Sequence, residues 1–354
     1  MRARRRTAQL TLLLLISGCD KAVIEPAGGI EPPGPPSGAD NGPSGPELVF
    51  ALRDIELRQR GGDAWRTIGW DLDGRCTAPP AIDAGPSPDG GPSLAAYDIE
   101  CVPTNAGDLP PPDGDQCRDN TYGQFISLGL ETLPIDVQMQ ARDGMARGQL
   151  SVLVRIRDYD GDDDDPQVTV DVAPTVYGEP AGGTRGDPLA WDGTDVMHPA
   201  EGALVTPDEA VIRDPLAHVS GGVLVVHVRD GTDFEFAGNA IVFSARISDG
   251  TLTGRLEQGT GRLSDVVLAG RWAVADLLSQ LDGLGVCEGT MIRSFVEIGA
   301  RGAADLLAQP PGTPPAALVP CDAVSIALRM QGYRAVWGSA APAEGFPQPC
   351  PTTP

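Results

Sequence analysis

Carboxylates are the side chains in this sequence with the numbers and spacing to do chemistry. Six of them, Asp158, Asp160, Asp162, Asp163, Asp164 and Asp165, crowd into the run DYDGDDDDP. Calcium takes about six to eight oxygen ligands, and alternating Asp residues around a Gly turn can aim several carboxylates at one point. Asp158, Asp160, Asp162 and Asp164 are therefore candidate calcium ligands. The spacing departs from the EF-hand pattern, because Gly161 follows the second Asp. A solvated hairpin tip, kept soluble by its charge, is the plainer account of the same residues. A second set pairs Asp71 and Asp73, in WDLDGRCT, with Asp113, Asp115, Asp119 and Asn120, in DGDQCRDN. Asp71, Asp73, Asp113 and Asp115 are its candidate metal ligands, and turn-making by Asx side chains is the competing explanation. A bridge from Cys76 to Cys101 or Cys117 would draw these two loops together.

Other chemistry has little to rest on, and no catalytic residue is assigned. His198, His218 and His227 are the only imidazoles, and His227, on an apolar strand, is expected to be buried and hydrogen-bonded. The chain has no GxSxG elbow, HExxH, P-loop or strand-linked GxGxxG. Paired carboxylates for hydrolysis of an envelope glycan remain the enzymatic alternative, although acidic residues are too plentiful for one pair to stand out. Trp65, Trp70, Trp191, Trp272 and Trp337 read mostly as core anchors rather than a sugar-stacking platform. With 49 acidic against 26 basic residues the net charge is −23. Such a chain is repelled by nucleic acid, which excludes DNA or RNA partners.

Six cysteines lie downstream of Cys19: Cys76, Cys101, Cys117, Cys287, Cys321 and Cys350. An even number without a CxxC pair points to disulfides in an exported chain. Proximity in sequence favours Cys76–Cys101 and Cys287–Cys321, leaving Cys117–Cys350.

The elements that must position these groups are mainly β. Leu48, Phe50 and Leu52 alternate, and the phase shifts at Ile55 and Leu57, which predicts a bulge. Val152, Val154 and Ile156 pair with Val168, Val170 and Val172 in a hairpin whose tip is the acidic run. Val223 to Val228 is a central strand. Ile241 to Glu257 reads as a hairpin turning at Asp249-Gly250. Leu263 to Leu268 and Val324 to Met330 are further strands. Helices are expected from Pro134 to near Gly148, with Ile135, Met139 and Met145 inward. Others are expected around Val274, Leu277, Leu278 and Leu281, and in part of Cys287 to Leu307, interrupted near Gly299 and Gly302. The fold class is an antiparallel β-sandwich, jelly-roll-like, with a few helical inserts, spanning 47–339. A Pro-rich tail follows over 340–354.

The N-terminus gives an address. Arg2, Arg4, Arg5 and Arg6 precede an apolar run, Leu10 to Ile16, too short to span a bilayer, which is a signal-peptide layout over 1–18. The junction LISGC resembles the lipobox of bacterial lipoproteins. That resemblance implies that Cys19 is diacylated and becomes the mature N-terminus, anchoring the chain to a membrane of the cell envelope on the exported side. The Pro/Gly-rich stretch 19–46 then reads as a tether. WDLDGRCT, DGDQCRDN, DYDGDDDDP, LAGRW and PCDAVSIAL together resemble a family of secreted myxobacterial lipoproteins with no assigned activity. The resulting expectation is a non-catalytic envelope lipoprotein, either a module that binds a glycan or another envelope protein or a purely structural component, with calcium as its candidate ligand.

Overall fold

The computed structural model describes residues 29–38, 42, 45–59, 61–77, 98–105, 108–127, 129, 136–201, 204–206, 209–210, 212–228, 232–238, 241–283, 285–310, 319–342 and 350. The expected signal peptide over 1–18, Cys19, Pro134, Ile135 and most of the Pro-rich tail lie outside these residues. The first strands are β1 (Leu48–Glu56), β2 (Val152–Arg157), β3 (Asp165–Glu179), β4 (Val196–Pro199), β5 (Leu204–Thr206) and β6 (Glu209–Ala210). They are followed by β7 (Ile212–Ser220), β8 (Val223–Val228), β9 (Thr232–Gly238) and β10 (Ile241–Glu257). The last are β11 (Arg262–Ala273), β12 (Ala323–Arg334) and β13 (Val336–Trp337).

The fold is mainly β, as expected, but the sandwich is replaced by a barrel. The order β3-β2-β1-β12-β11-β10-β8-β7 closes because β7 pairs back on β3, from Asp165↔Val219 to Val172↔Ile212. All eight junctions are antiparallel. Alternation along a strand tells which face is apolar. It does not tell whether the last strand finds the first, so sandwich and barrel look alike in sequence. Closure removes the sheet edges that would otherwise template aggregation.

An eight-stranded barrel is about wide enough for its own side chains to fill. Phe50, Leu52, Val154, Val170, Val226, Leu252 and Leu328 fill this one, each at most 2% exposed. Two patches of the outer wall are buried as well. Val49, Ala51 and Leu153 lie under Met197, Trp191 and Trp337, carried by or beside β4 and β13. Ala269 and Ala327, on β11 and β12, lie under Ile68, Trp70 and Leu72. This second cover places the loop beginning at Asp71 against the barrel wall.

Bulges bend the wall. The phase shift predicted in β1 is a bulge with Asp54 at φ 58°, and the register breaks between Arg53 and Glu56. Asp265 in β11 does the same at φ 47°. The expected hairpin of Ile241 to Glu257 is corrected: β10 is one strand of 17 residues, and Asp249-Gly250 is a bulge within it. Asp-Gly tolerates positive φ in a bulge as readily as in a turn, so the dipeptide alone does not choose between them. A Cβ on Gly250 would lie 2.8 Å from Cβ of Val228 and 2.9 Å from Cγ2 of Ile247, so the close packing there requires glycine.

The strand directions define two ends. Glu56, Val152, Ala273 and Ala323 share one end, which carries the helices α1 (Val137–Ala146), α2 (Val274–Ser279) and α3 (Met291–Gly302). Arg157, Asp165, Ser220 and Arg334 mark the other. Asp136 caps α1 by accepting from Met139 N at 2.9 Å. Met145 is buried as expected, whereas Met139 is 55% exposed on the solvent side of its helix. Leu277 and Leu278 of α2 are buried. α3 runs through Gly299, where an interruption was expected, because Val296 and Ala300 pack its inner face onto the core.

All three expected disulfide pairings are corrected, to Cys76–Cys117, Cys101–Cys321 and Cys287–Cys350. Nearness in sequence was a poor guide because the fold supplies closer partners. Thr77 O accepts from Asp113 N at 2.9 Å, so Cys76 and Cys117 sit on paired loops. Val102 bridges Pro320, which aligns Cys101 with Cys321 across 220 residues. Part of the expected tether also docks on the body. Ile30 N donates to Gln116 O at 3.0 Å, Ile30 O accepts from Asp71 N at 2.9 Å, and Pro33 O lies 2.8 Å from His218 Nε2.

Candidate metal centre

At the helical end, two loops and one strand approach bring carboxylates together in a shallow cup. Each carboxylate is oriented by backbone amides. Asp71 Oδ1 accepts from Gly74 N at 2.7 Å and Arg75 N at 3.2 Å, and Asp73 Oδ1 accepts from Arg75 N at 2.9 Å. Asp119 Oδ2 accepts from Leu72 N at 2.6 Å, and Asp113 Oδ2 accepts from Thr77 N at 2.6 Å. These bonds tie loop 71–77 to loop 113–119, and Cys76–Cys117 staples them. One oxygen from each of Asp71, Asp73 and Asp119 falls within 4.8 Å of the other two. Among the described residues this is the one group of three or more His, Cys, Asp or Glu with such convergence.

Asp73, Asp113 and Asp119 line a pocket with Asp305, floored by Ile99, Ala304 and the Cys101–Cys321 bridge. Its volume, about 10 Å³, suits one water or one ion. Asp305 is held by Ser325 N at 2.8 Å, Ser325 Oγ at 2.6 Å and Thr121 Oγ1 at 3.0 Å. No ion pair among the described residues includes Asp71, Asp73, Asp113, Asp119 or Asp305. Burial is the main cause that raises all five groups above the ordinary carboxylate range, and repulsion from neighbouring carboxylates adds to it at Asp73, Asp113 and Asp119. Asp73 is pushed up to about 7 and Asp113 to about 8. Asp305 is pushed up to about 6, Asp119 rises well above its usual value, and Asp71 is raised. A divalent cation would replace the protons of these carboxyls and neutralise the cup.

Of the candidate ligands in these loops, Asp71, Asp73 and Asp113 gather here, joined by Asp119. Asp115 turns away to an exposed ion pair with Arg66 at 3.1 Å. Asn120 is structural: its Oδ1 accepts from Gly123 N at 3.0 Å, and its Nδ2 donates to Gln59 Oε1 at 2.7 Å. Sequence reasoning missed Asp305, which stands alone in the stretch GAADLL and reaches the cup only because α3 delivers it beside β12.

The acidic tip lies at the opposite end of the barrel and gathers differently. Asp158, Asp162, Asp163 and Asp164 are exposed. Asp160 Oδ1 accepts from Asp162 N at 2.8 Å, and Asp164 Oδ1 accepts from Gly221 N at 2.8 Å. Buried Asp165 accepts from Asp160 N at 3.0 Å and Gln167 N at 3.1 Å. These carboxylates shape a turn, and Asp158, Asp160, Asp162 and Asp164 do not converge on one point.

No histidine converges with the carboxylates of either site, although His218 adjoins Val219, the cross-strand partner of Asp165. His227, expected to be buried, has a side chain 64% exposed, beside Asp214 at 3.2 Å, because it faces outward while Val226 and Val228 face the core. Trp65 and Trp272 are core residues, and Trp191 and Trp337 are covered by Arg53 and Arg155 at 5.1 and 4.3 Å. Among the described residues no helix is long and apolar enough to cross a membrane.

Fold and site together define a disulfide-stapled, closed antiparallel β-barrel with an acidic, ion-sized cup on its outer wall. Comparisons with protein-family models, with curated proteins and with solved structures found no match.

Proposed function

We propose that this chain is a non-catalytic lipoprotein of the cell envelope, anchored through Cys19, whose barrel holds a calcium ion in the cup of Asp71, Asp73, Asp113 and Asp119. The observation that carries the metal reading is the convergence of three carboxylates within 4.8 Å, with no basic partner among the described residues. Hard oxygen donors held by short loops are the ligand type calcium prefers, and backbone carbonyls or water would complete its shell. The ion would fix loops 71–77 and 113–119, and through Ile30 the docked chain that leads back to the anchor. A glycan or another envelope protein is the partner class such a rigid, anchored body would present itself to. The glycan-hydrolase alternative gains no support from the cup, whose volume of about 10 Å³ admits no sugar ring.

Calorimetric titration with calcium, paired with thermal melts in calcium and in EDTA, tests the metal reading. A ligand at about a hundredfold excess over its Kd adds about 2.7 kcal/mol, so a clear upward shift in melting is expected. Absence of both heat and shift overturns it. The anchor has a separate test: Cys19→Ala should remove the mass of the acyl chains and make membrane association weak and reversible, so that most of the protein leaves the membrane fraction on washing.

A further inference from the structure

We propose that α3 is a membrane-contact helix, whose outer apolar stripe rests in the interfacial layer of the bilayer that holds the Cys19 acyl chains. Met291, Phe295 and Ile298 recur at i, i+4 and i+7 on one face, with Ile292 beside them. They are 88%, 68%, 69% and 45% exposed. Nothing about folding demands this. The inner face already secures the helix, through buried Ala300, the packed Val296, and Arg293, which reaches Asp282 at 2.7 Å and Glu297 at 2.8 Å. A cluster of large exposed apolar side chains marks an interaction surface.

Charge selects the occupant. The chain carries 49 acidic residues, yet the only carboxylate on α3 is Glu297, which is drawn inward by Arg293. The outer face carries only Arg301 as a charge, in its last turn. A surface free of carboxylates in so acidic a protein is what contact with lipid requires. A helix of 12 residues, about 18 Å long, is too short to span the bilayer and suited to lie along it.

The reach of the anchor agrees, and here the inference rests on the lipoprotein reading. Ten residues separate Cys19 from Gly29, and whatever path they take they span at most about 35 Å. Gly29 lies against the Asp71 carboxylate, and Asp71 adjoins Asp73 and Asp119 in the cup. The cup is also lined by Ala304 and Asp305, which directly follow α3. The whole stripe therefore falls within reach of the membrane that holds Cys19. β7 is four strands from β12 in either direction, and the docked chain touches it through Pro33 and His218, so charge and apolar character rather than reach favour α3.

The test uses the full chain reconstituted in phosphatidylcholine vesicles, with and without brominated acyl chains. Phe295→Trp reports on α3, and Leu216→Trp, at a position 68% exposed on β7, reports on the far wall. The added emission at position 295 should shift to the blue and be quenched at least twofold more than that at position 216. Equal quenching overturns the proposal. So does a blue shift without bromine quenching, accompanied by a doubled sedimenting mass, which would assign the stripe to a second copy of the chain. Mass spectrometry reads acylation separately, so a chain found without acyl groups removes the anchor reading while the quenching ratio still decides on α3. In the Cys19→Ser chain, Phe295→Asp with Ile298→Asp should leave the thermal melt unchanged and lower flotation with vesicles at least fivefold. Unchanged flotation counts against the proposal.

Discussion

The two acidic regions occupy opposite ends of one barrel and put the same residue type to different uses. At the tip, Asp158 to Asp165 are consecutive or nearly so, and mostly exposed, and their carboxylates accept from neighbouring amides to hold a turn. In the cup, Asp73, Asp113, Asp119 and Asp305 come from three separate stretches and are largely buried, with no counter-charge among the described residues. Local density of charge therefore marks the region where repulsion is screened by water. Long-range assembly makes the region where repulsion must be met by protons or by an ion. The difference teaches that convergence and burial, rather than count, make a metal centre.

That contrast can be broken most directly at the staple. Cys76→Ser with Cys117→Ser should cost about 2–4 kcal/mol in denaturant unfolding and abolish calcium binding, since it frees the two cup loops. Retained calcium binding would show that the loops are held by their amide bonds alone. Next in size, Asp73→Asn with Asp119→Asn should weaken calcium binding by about 100-fold in calorimetry. Asp160→Asn with Asp162→Asn at the tip should change it by less than about twofold. The reverse ranking would move the metal site to the tip.

The pH dependence separates the regions without mutation. The cup carboxyls hold protons in the folded state up to about 7 at Asp73 and about 8 at Asp113. Between about pH 4 and these values the folded chain therefore binds more protons than the unfolded one, and stability falls as pH rises. Melts in EDTA should show the cup contribution intact below about pH 4 and lost through about pH 7–8. Saturating calcium should flatten that decline, and so should Asp73→Asn with Asp119→Asn. A metal-free protein whose melting temperature rises across that window contradicts the cup electrostatics.

The smallest effects belong to the tip. Asp165→Asn, at a buried acceptor of two amides, should cost about 1–3 kcal/mol, whereas exposed Asp163→Asn should stay within about 0.5 kcal/mol. Denaturant midpoints check both. A large cost at Asp163 would indicate that the tip, too, is organised around a bound charge.

How much of this was legible in the sequence depends on range. Alternation identified β1, β2, β3 and β12, a continuous apolar run identified β8, and the phase slip before Ile55 correctly announced the bulge at Asp54. Helical spacing placed α2, and the Asp-rich motifs named four of the residues that meet or adjoin in the cup. These features rest on periods of two or 3.6 residues and on turn chemistry, which neighbours along the chain decide. Barrel closure through β3 and β7, the Asp249-Gly250 bulge, the three disulfide pairings and the arrival of Asp305 were decided by tertiary structure alone. Each depends on which distant segments meet, a choice set by the packing of the whole apolar interior. The composition dictated an acidic, strand-rich, disulfide-bearing chain; only the closed barrel decided where its carboxylates would be forced together.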